Sequence, residues 1–360
     1  MIIDVVKIFT PPIIAFGLGM FFAPILTDYL YKNKMWKKKS GKHVGIGGGG
    51  TPVFNELHKE KEVGTPRMGG IVIWASVLVT VLGTWILSHI FPDSLTLSKL
   101  DLLSRNQTWI PLFTLIFGAL VGLVDDILEI KGGGDNAAGG LSLSKRLIII
   151  TTIGLAAALW FYFKLDVHII GLPQSWGVLD LGVFFIPFFV LVMLALYSGG
   201  VIDGIDGLAG GTFATMFAAY AGIAFYQQQI NLAAFCAVVL GGILAFLWYN
   251  IPPARFYMSE TGSMGLTITL AVVAFMTDSI GGGYGVLVLP IIALPLLVTT
   301  LSNIIQVLSK KMRGGKKVFL IAPLHHHFEA IGWPAYKVTM RYWIISVIFA
   351  MLGLVLALLD

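Results

Sequence analysis

Cysteine is nearly absent from this 360-residue chain and charge is scarce, with one cysteine, Cys236, and 12% Asp, Glu, Lys and Arg. A lone thiol within an apolar run excludes an intramolecular disulfide and a cysteine-based zinc site. Soluble domains carry roughly 25% charged residues, so the shortage of charge excludes that class. In place of charge there are apolar residues, 57% of the chain, in runs long enough to cross a bilayer. The first run lacks a preceding basic segment and is too long for a signal-peptide core, so it reads as a retained span.

Ten stretches qualify as spans, at about 8–30, 70–91, 109–124, 146–163, 180–198, 208–226, 232–249, 264–280, 285–308 and 341–359. Placing loop 31–69 on the cytoplasmic side and alternating puts 20 of the 24 Lys and Arg in cytoplasmic loops. Only Lys7, Lys99, Arg105 and Lys164 fall on the other side. The expectation is an all-α integral membrane protein, one polytopic domain over 1–360, with about ten transmembrane helices and both termini outward. The net charge of +5 then belongs to the basic start of loop 31–69 and to loop 309–340. It reads as contact with the lipid bilayer and its anionic headgroups rather than with nucleic acid.

Two glycine patterns are rejected as nucleotide sites. Gly45, Gly47 and Gly50 have dinucleotide-fingerprint spacing but no strand before them, and KGGGDNAAGG at 131–140 lacks the Lys-Ser/Thr ending of a phosphate loop. The chemistry concentrates elsewhere on the cytoplasmic side. Asp125 and Asp126 end the third span and open loop 125–145, and Asp203 and Asp206 join the fifth and sixth spans within SGGVIDGIDGLAGG. Asn250, Arg255 and Glu260 fill the loop after the seventh span, and His325, His326 and His327 stand in the loop after the ninth. Carboxylates at span ends are costly unless they have partners or work. Acids gathered from three loops suit magnesium-assisted phosphoryl transfer, where one or two carboxylates hold Mg²⁺ and substrate phosphates complete its shell. Lys145, Arg146 and the histidines would take the remaining phosphate charge.

The segments GTPRMGG, VDD, VIDGIDGLAGG, YNIPPARFYMSETGS and APLHHHFEAIGW, in this order from about Gly64 onward, carry a resemblance. The chain resembles the phospho-N-acetylmuramoyl-pentapeptide transferase family, within the polyprenyl-phosphate N-acetylhexosamine-1-phosphate transferases. HHHFE followed by GW is more particular to the muramoyl-pentapeptide branch. The resemblance implies attack of a polyprenyl phosphate on the β-phosphate of UDP-N-acetylmuramoyl-pentapeptide, in a bacterial inner membrane and in a homodimer. It implies that Asp125 and Asp126 orient or deprotonate the carrier phosphate, and that Glu260, with Asp126, holds Mg²⁺. His325 joins the catalytic set, while His326 and His327 meet the diphosphate or the sugar-peptide. The nucleotide falls to Asp203, Gly204, Ile205, Asp206, Asn250 and Tyr257, with Thr65, Lys61, Lys145 and Arg146 as further substrate contacts.

Three positions depart from the family pattern, which has Asp where this chain has Glu260, Asn at Gly200 and Thr at Arg67; its basic residue after loop 125–145 aligns between Lys145 and Arg146. The departures at Gly200 and Glu260 keep open a catalytically impaired homologue. A transferase of plain N-acetylhexosamine 1-phosphate and a secondary transporter are further alternatives, the latter opposed by acids that lie at span ends on one side.

Overall fold

The computed structural model describes residues 2–37, 63–94, 97–103, 108–132, 140–173 and 176–359. Lys61, the 45–50 glycines and most of the 131–140 connector lie outside them. Among the described residues twelve α-helices follow in order: α1 Ile2–Lys32, α2 Ile71–Ile90, α3 Trp109–Lys131, α4 Leu143–Lys164, α5 Phe185–Ser198, α6 Leu208–Tyr226, α7 Ile230–Asn250, α8 Ser259–Met276, α9 Gly285–Ile292, α10 Leu294–Met312, α11 Leu324–Ala330 and α12 Ala335–Leu358. Nine of the helical segments are long and apolar enough to cross a membrane. The pair α9–α10, bent by 68° at Ala293, makes a tenth. The expected multi-pass helical architecture is therefore present. The long connection between α4 and α5 adds a two-stranded antiparallel ribbon that the sequence did not signal, β1 Ile169–Gly171 with β2 Val178–Asp180, Ile170 opposite Leu179.

Several span boundaries differ from expectation, and two of the differences matter for the site. The third span continues past 124 to Lys131 and ends at Gly132, whose φ of 66° makes the left-handed cap. The eighth begins at Ser259, not 264. Asp125, Asp126 and Glu260 therefore stand on helical turns rather than in loops. A hydropathy criterion stops where charges begin, whereas a helix continues as long as its backbone bonds and inward partners do.

α8 is the axis of the bundle. Every one of its residues is buried except Glu260, as expected of a helix apolar or small on all sides. Away from the site, Phe275 of α8 stacks on Phe189 of α5 at 4.2 Å and meets Phe161 of α4 edge-on at 6.3 Å. Such pairs contribute about 0.5–1.5 kcal/mol each beyond area burial, and they tie α4 and α5 to the axis.

Just beyond α8, Asp278 accepts from the backbone N–H of Gly171 at 2.7 Å and of Val286 at 3.0 Å, pinning the ribbon to the start of α9. Burial pushes its carboxyl up to about 6 against these hydrogen bonds, from an ordinary 3.8. The folded chain keeps this proton to higher pH than the unfolded chain, so the group's stabilisation is full below pH 3.8 and lost as pH rises through about 6. Melting in detergent should show up to about 3 kcal/mol more stability at pH 4 than at pH 8 from this residue. Asp278→Asn should lose that component of the pH dependence, and equal pH slopes in both proteins would refute the assignment.

Candidate active site

The site begins with glycine. On α3, Gly118 and Gly122 are one turn apart and face α8. A Cβ on Gly122 would fall on the Glu260 carbonyl, and one on Gly118 would lie 3.0 Å from the Gly265 Cα. Small residues four apart let two membrane helices bring their backbones together. One turn beyond this contact, Asp125 and Asp126 arrive beside the first turn of α8, both fully buried.

The first turn of α8 leaves N–H groups without intrahelical partners, and two acids from other elements satisfy them. Asp203 Oδ2 accepts from Ser259 N at 2.8 Å. Asp126 Oδ2 accepts from Thr261 N at 2.9 Å and from the Thr261 hydroxyl at 2.6 Å. Carboxylates also complement the positive end of the helix dipole. Ser259 itself has φ 58°, and its Oγ accepts from Met68 N at 3.2 Å. Burial pushes the Asp203 carboxyl up to about 6, against the Ser259 hydrogen bond and the Arg67 charge, with Asp126 and Asp206 adding to the rise.

Two arginines cross-link the acids. Arg146 places one guanidinium nitrogen 2.8 Å from Asp125 Oδ2 and another 2.7 Å from Glu260 Oε1, joining α4 to α3 and α8. Ser142 caps α4 and starts the helix in the register that turns Arg146 inward, whereas the Lys145 side chain is exposed. Arg146 is thus the basic residue that reaches the acids. Asp125 Oδ1 accepts from Leu141 N at 2.6 Å. Arg67 lies 3.3 Å from Asp126 Oδ1 and 2.9 Å from Glu129 Oε2, and Lys37 lies 2.8 Å from Glu129 Oε1. Burial alone would pull the Arg67 guanidinium down, but Glu129, Asp126, Asp203 and Glu260 together hold it above its ordinary value. Glu129 was not anticipated. It follows Asp125 by four residues and Asp126 by three, the spacing of one helix face, but that signal needs the helix to continue past 124.

The turn at 199–207 forms the next wall. Gly207 N donates to Asn250 Oδ1 at 2.9 Å, Ala254 N donates to Asp206 Oδ2 at 3.1 Å, and α12 reaches in with Thr339 Oγ1 to the Asp206 carbonyl at 3.0 Å. Asn250 also donates to the Phe256 carbonyl at 2.8 Å and is 3% exposed, so its side chain buckles two loops together. Ile205 is buried, while Tyr257 and Thr65 are half-buried on paired strands of backbone, Tyr257 N donating to Pro66 O at 2.9 Å. The His325 and His326 rings lie over Gly204, where a Cβ would come within 2.8 Å of His326 Nε2. Glu329 Oε2, 2.7 Å from His326 Nδ1, orients that ring. His327 points elsewhere, its Nδ1 accepting from Leu320 N at 3.2 Å, because successive side chains on α11 diverge by about 100°.

The donors suit a divalent ion. Asp125, Asp126 and Glu129 each place an oxygen within 4.8 Å of the others, a hard all-oxygen set of the kind Mg²⁺, Ca²⁺ and Mn²⁺ prefer. Among the described residues, Asp125 Oδ2 is buried without an aligned hydrogen bond, and Glu260 Oε2 has a 3.5 Å contact from Ser263 Oγ. Among the described residues, Lys37, Arg67 and Arg146 ion-pair with Asp125, Asp126, Glu129 and Glu260, and Asp203 and Asp206 stand beside them, so carboxyl groups outnumber these cations.

An apolar helix bundle with buried acids, arginines and histidines at one end defines a multi-pass membrane transferase, and residues 108–278 match the family described as glycosyl transferase family 4. That segment contains Asp125, Asp126, Glu129, Asp203, Asp206 and Glu260. The chain is similar to curated proteins named phospho-N-acetylmuramoyl-pentapeptide-transferase over most of its length. The one from Geobacillus sp. (strain WCH70) is 36% identical, covering 82% of this chain and 84% of its own. That of Chloroflexus aggregans is 34% identical over 90% and 83%, and that of Rickettsia massiliae 33% identical over 95% and 90%. The chain belongs to the phospho-N-acetylmuramoyl-pentapeptide-transferase family, whose chemistry is glycosyl-1-phosphate transfer.

Proposed function

We propose that the protein transfers phospho-N-acetylmuramoyl-pentapeptide from its UDP-linked form to a polyprenyl phosphate, of the undecaprenyl class, at the cytoplasmic face of a bacterial inner membrane. A carrier-phosphate oxygen attacks the nucleotide's β-phosphorus. The bond from that phosphorus to the bridging oxygen breaks, and UMP leaves while lipid I remains. The observation that carries this reading is the meeting of Asp125, Arg146 and Glu260, from three spans, beside the Gly204 turn and its two histidines.

Arg146, held by Asp125 and Glu260, offers a planar cation for phosphate oxygens. A phosphate monoester has its second pKa near ~6, so Asp125 orients the carrier phosphate through Arg146 more than it removes a proton. Asp126, with both oxygens engaged, holds the first turn of α8. Asp203 and Asp206 shape the nucleotide turn with Gly204 and Ile205, Asn250 is a positioning residue for that turn, and Tyr257 supplies a ring beside it. His325 and His326 face the diphosphate. Glu260, with Asp125 across Arg146, would hold Mg²⁺, which when bound neutralises charge developing on the transferred phosphoryl group.

Purified protein with Mg²⁺, polyprenyl phosphate and UDP-N-acetylmuramoyl-pentapeptide should release UMP and form a lipid-linked diphosphate. UDP-N-acetylglucosamine should neither serve nor compete. Turnover of that sugar nucleotide alone would move the protein to the plain hexosamine transferases, and no turnover in an active lipid mixture would mark an impaired homologue.

A further inference from the structure

Arg67 is held in place from both sides. Its own N–H donates to Met35 O at 2.9 Å, Pro66 O accepts from Tyr257 N at 2.9 Å, and Gly69 N donates to Tyr257 O at 2.8 Å. The side chain has little freedom either. Its Nη2 lies between Asp126 Oδ1 and Glu129 Oε2, with Nε 3.4 Å from the same Asp126 oxygen. Asp126 and Glu129 are two of the three acids whose oxygens lie within 4.8 Å of one another, and Lys37 takes the remaining Glu129 oxygen. The geometry of a divalent-ion site on α3 is therefore present but filled, and Glu260 on α8 is left with the more open oxygen.

We infer that Arg67 is a resident cation of the acidic centre: its guanidinium closes the Asp125, Asp126 and Glu129 cluster to a divalent ion, so that the chain takes one ion, at Glu260, and not two. This rests on the assignment of the ion to Glu260 made above. An arginine suits the task because it keeps its charge at any working pH and its planar fork spans two carboxylates. An ion entering the cluster would have to expel a tethered guanidinium and strand it, buried, without an anion. A threonine, the residue of the family pattern, has no charge to oppose that entry.

Mn²⁺ binding by the full-length protein in detergent, read as loss of the free-ion electron paramagnetic resonance signal, tests the inference without turnover. Wild type should bind one Mn²⁺ per chain. Arg67→Gln, with the neutralising charge gone, should bind a second ion, or bind the first at least about tenfold more tightly. Arg67→Lys, which keeps the charge but not the fork, should still bind one ion, and Arg67→Gln with Glu129→Gln should return to one ion. Unchanged stoichiometry and affinity in a folded Arg67→Gln protein would overturn the inference. If that variant does not fold, Glu129→Gln alone still decides. Wild-type Mn²⁺ binding in it supports a closed cluster, and loss of the ion shows that the cluster was the site all along. Absence of Mn²⁺ from wild type would instead sink the Glu260 assignment, while a gain in Arg67→Gln would still bear out the closure.

Discussion

Glu260→Gln is expected to lower UMP release by on the order of a thousandfold while leaving the melting temperature within a few degrees of wild type. The glutamine carbonyl keeps the volume and an acceptor for Arg146, which retains Asp125 at 2.8 Å. What is lost is one negative charge at the only residue of α8 that is not buried. A metal stabilises transition-state charge by several kcal/mol, and about 4 kcal/mol corresponds to the stated factor. The neighbouring acids give less clean tests. In Asp126→Asn an amide donor would face either Arg67 or Thr261, since the carboxylate accepts on both sides, so that loss of activity would include loss of structure. Asp125→Asn has the same difficulty in part, because Leu141 N donates to it and Arg146 ion-pairs with it. Full activity in Glu260→Gln would end the assignment of the ion to this residue.

The second large effect is expected from Gly122→Leu, a change that touches no polar group. The new side chain would occupy the space of the Glu260–Thr261 peptide. Retreat of α3 would open the close backbone approach along the same seam, where a Cβ on Gly265 would lie 2.8 Å from Leu115 O. Overpacking of a well-packed contact costs about 1–3 kcal/mol, occasionally more. Its effect on chemistry should be greater, because a displacement of ~1 Å between reacting groups costs about a hundredfold. A monodisperse but inactive protein with a lowered melting temperature is the expected outcome. Wild-type activity would show that the seam does not position the acids.

The sequence by itself determined the membrane class, because only helices or closed barrels satisfy backbone hydrogen bonds in hydrocarbon and the apolar runs have helical length. It also determined which residue types carry the chemistry, since carboxylates, arginines and histidines stand out against so apolar a background. The family was legible in short motifs whose order needs no structure.

The tertiary structure alone decided how these residues meet. Whether Lys145 or Arg146 faces the acids depends on the helical register set by Ser142. Glu129 became visible only when α3 was seen to run on to Lys131. His327 parted from His325 and His326 because a helix fans out consecutive residues. Arg67, which in the sequence is only a departure from a pattern, is 59 residues from Asp126 along the chain and 3.3 Å from it in space. Composition and periodicity report on a residue's own neighbourhood, whereas an ion pair of this kind depends on two helices approaching at Gly122 and a loop pinned across their ends.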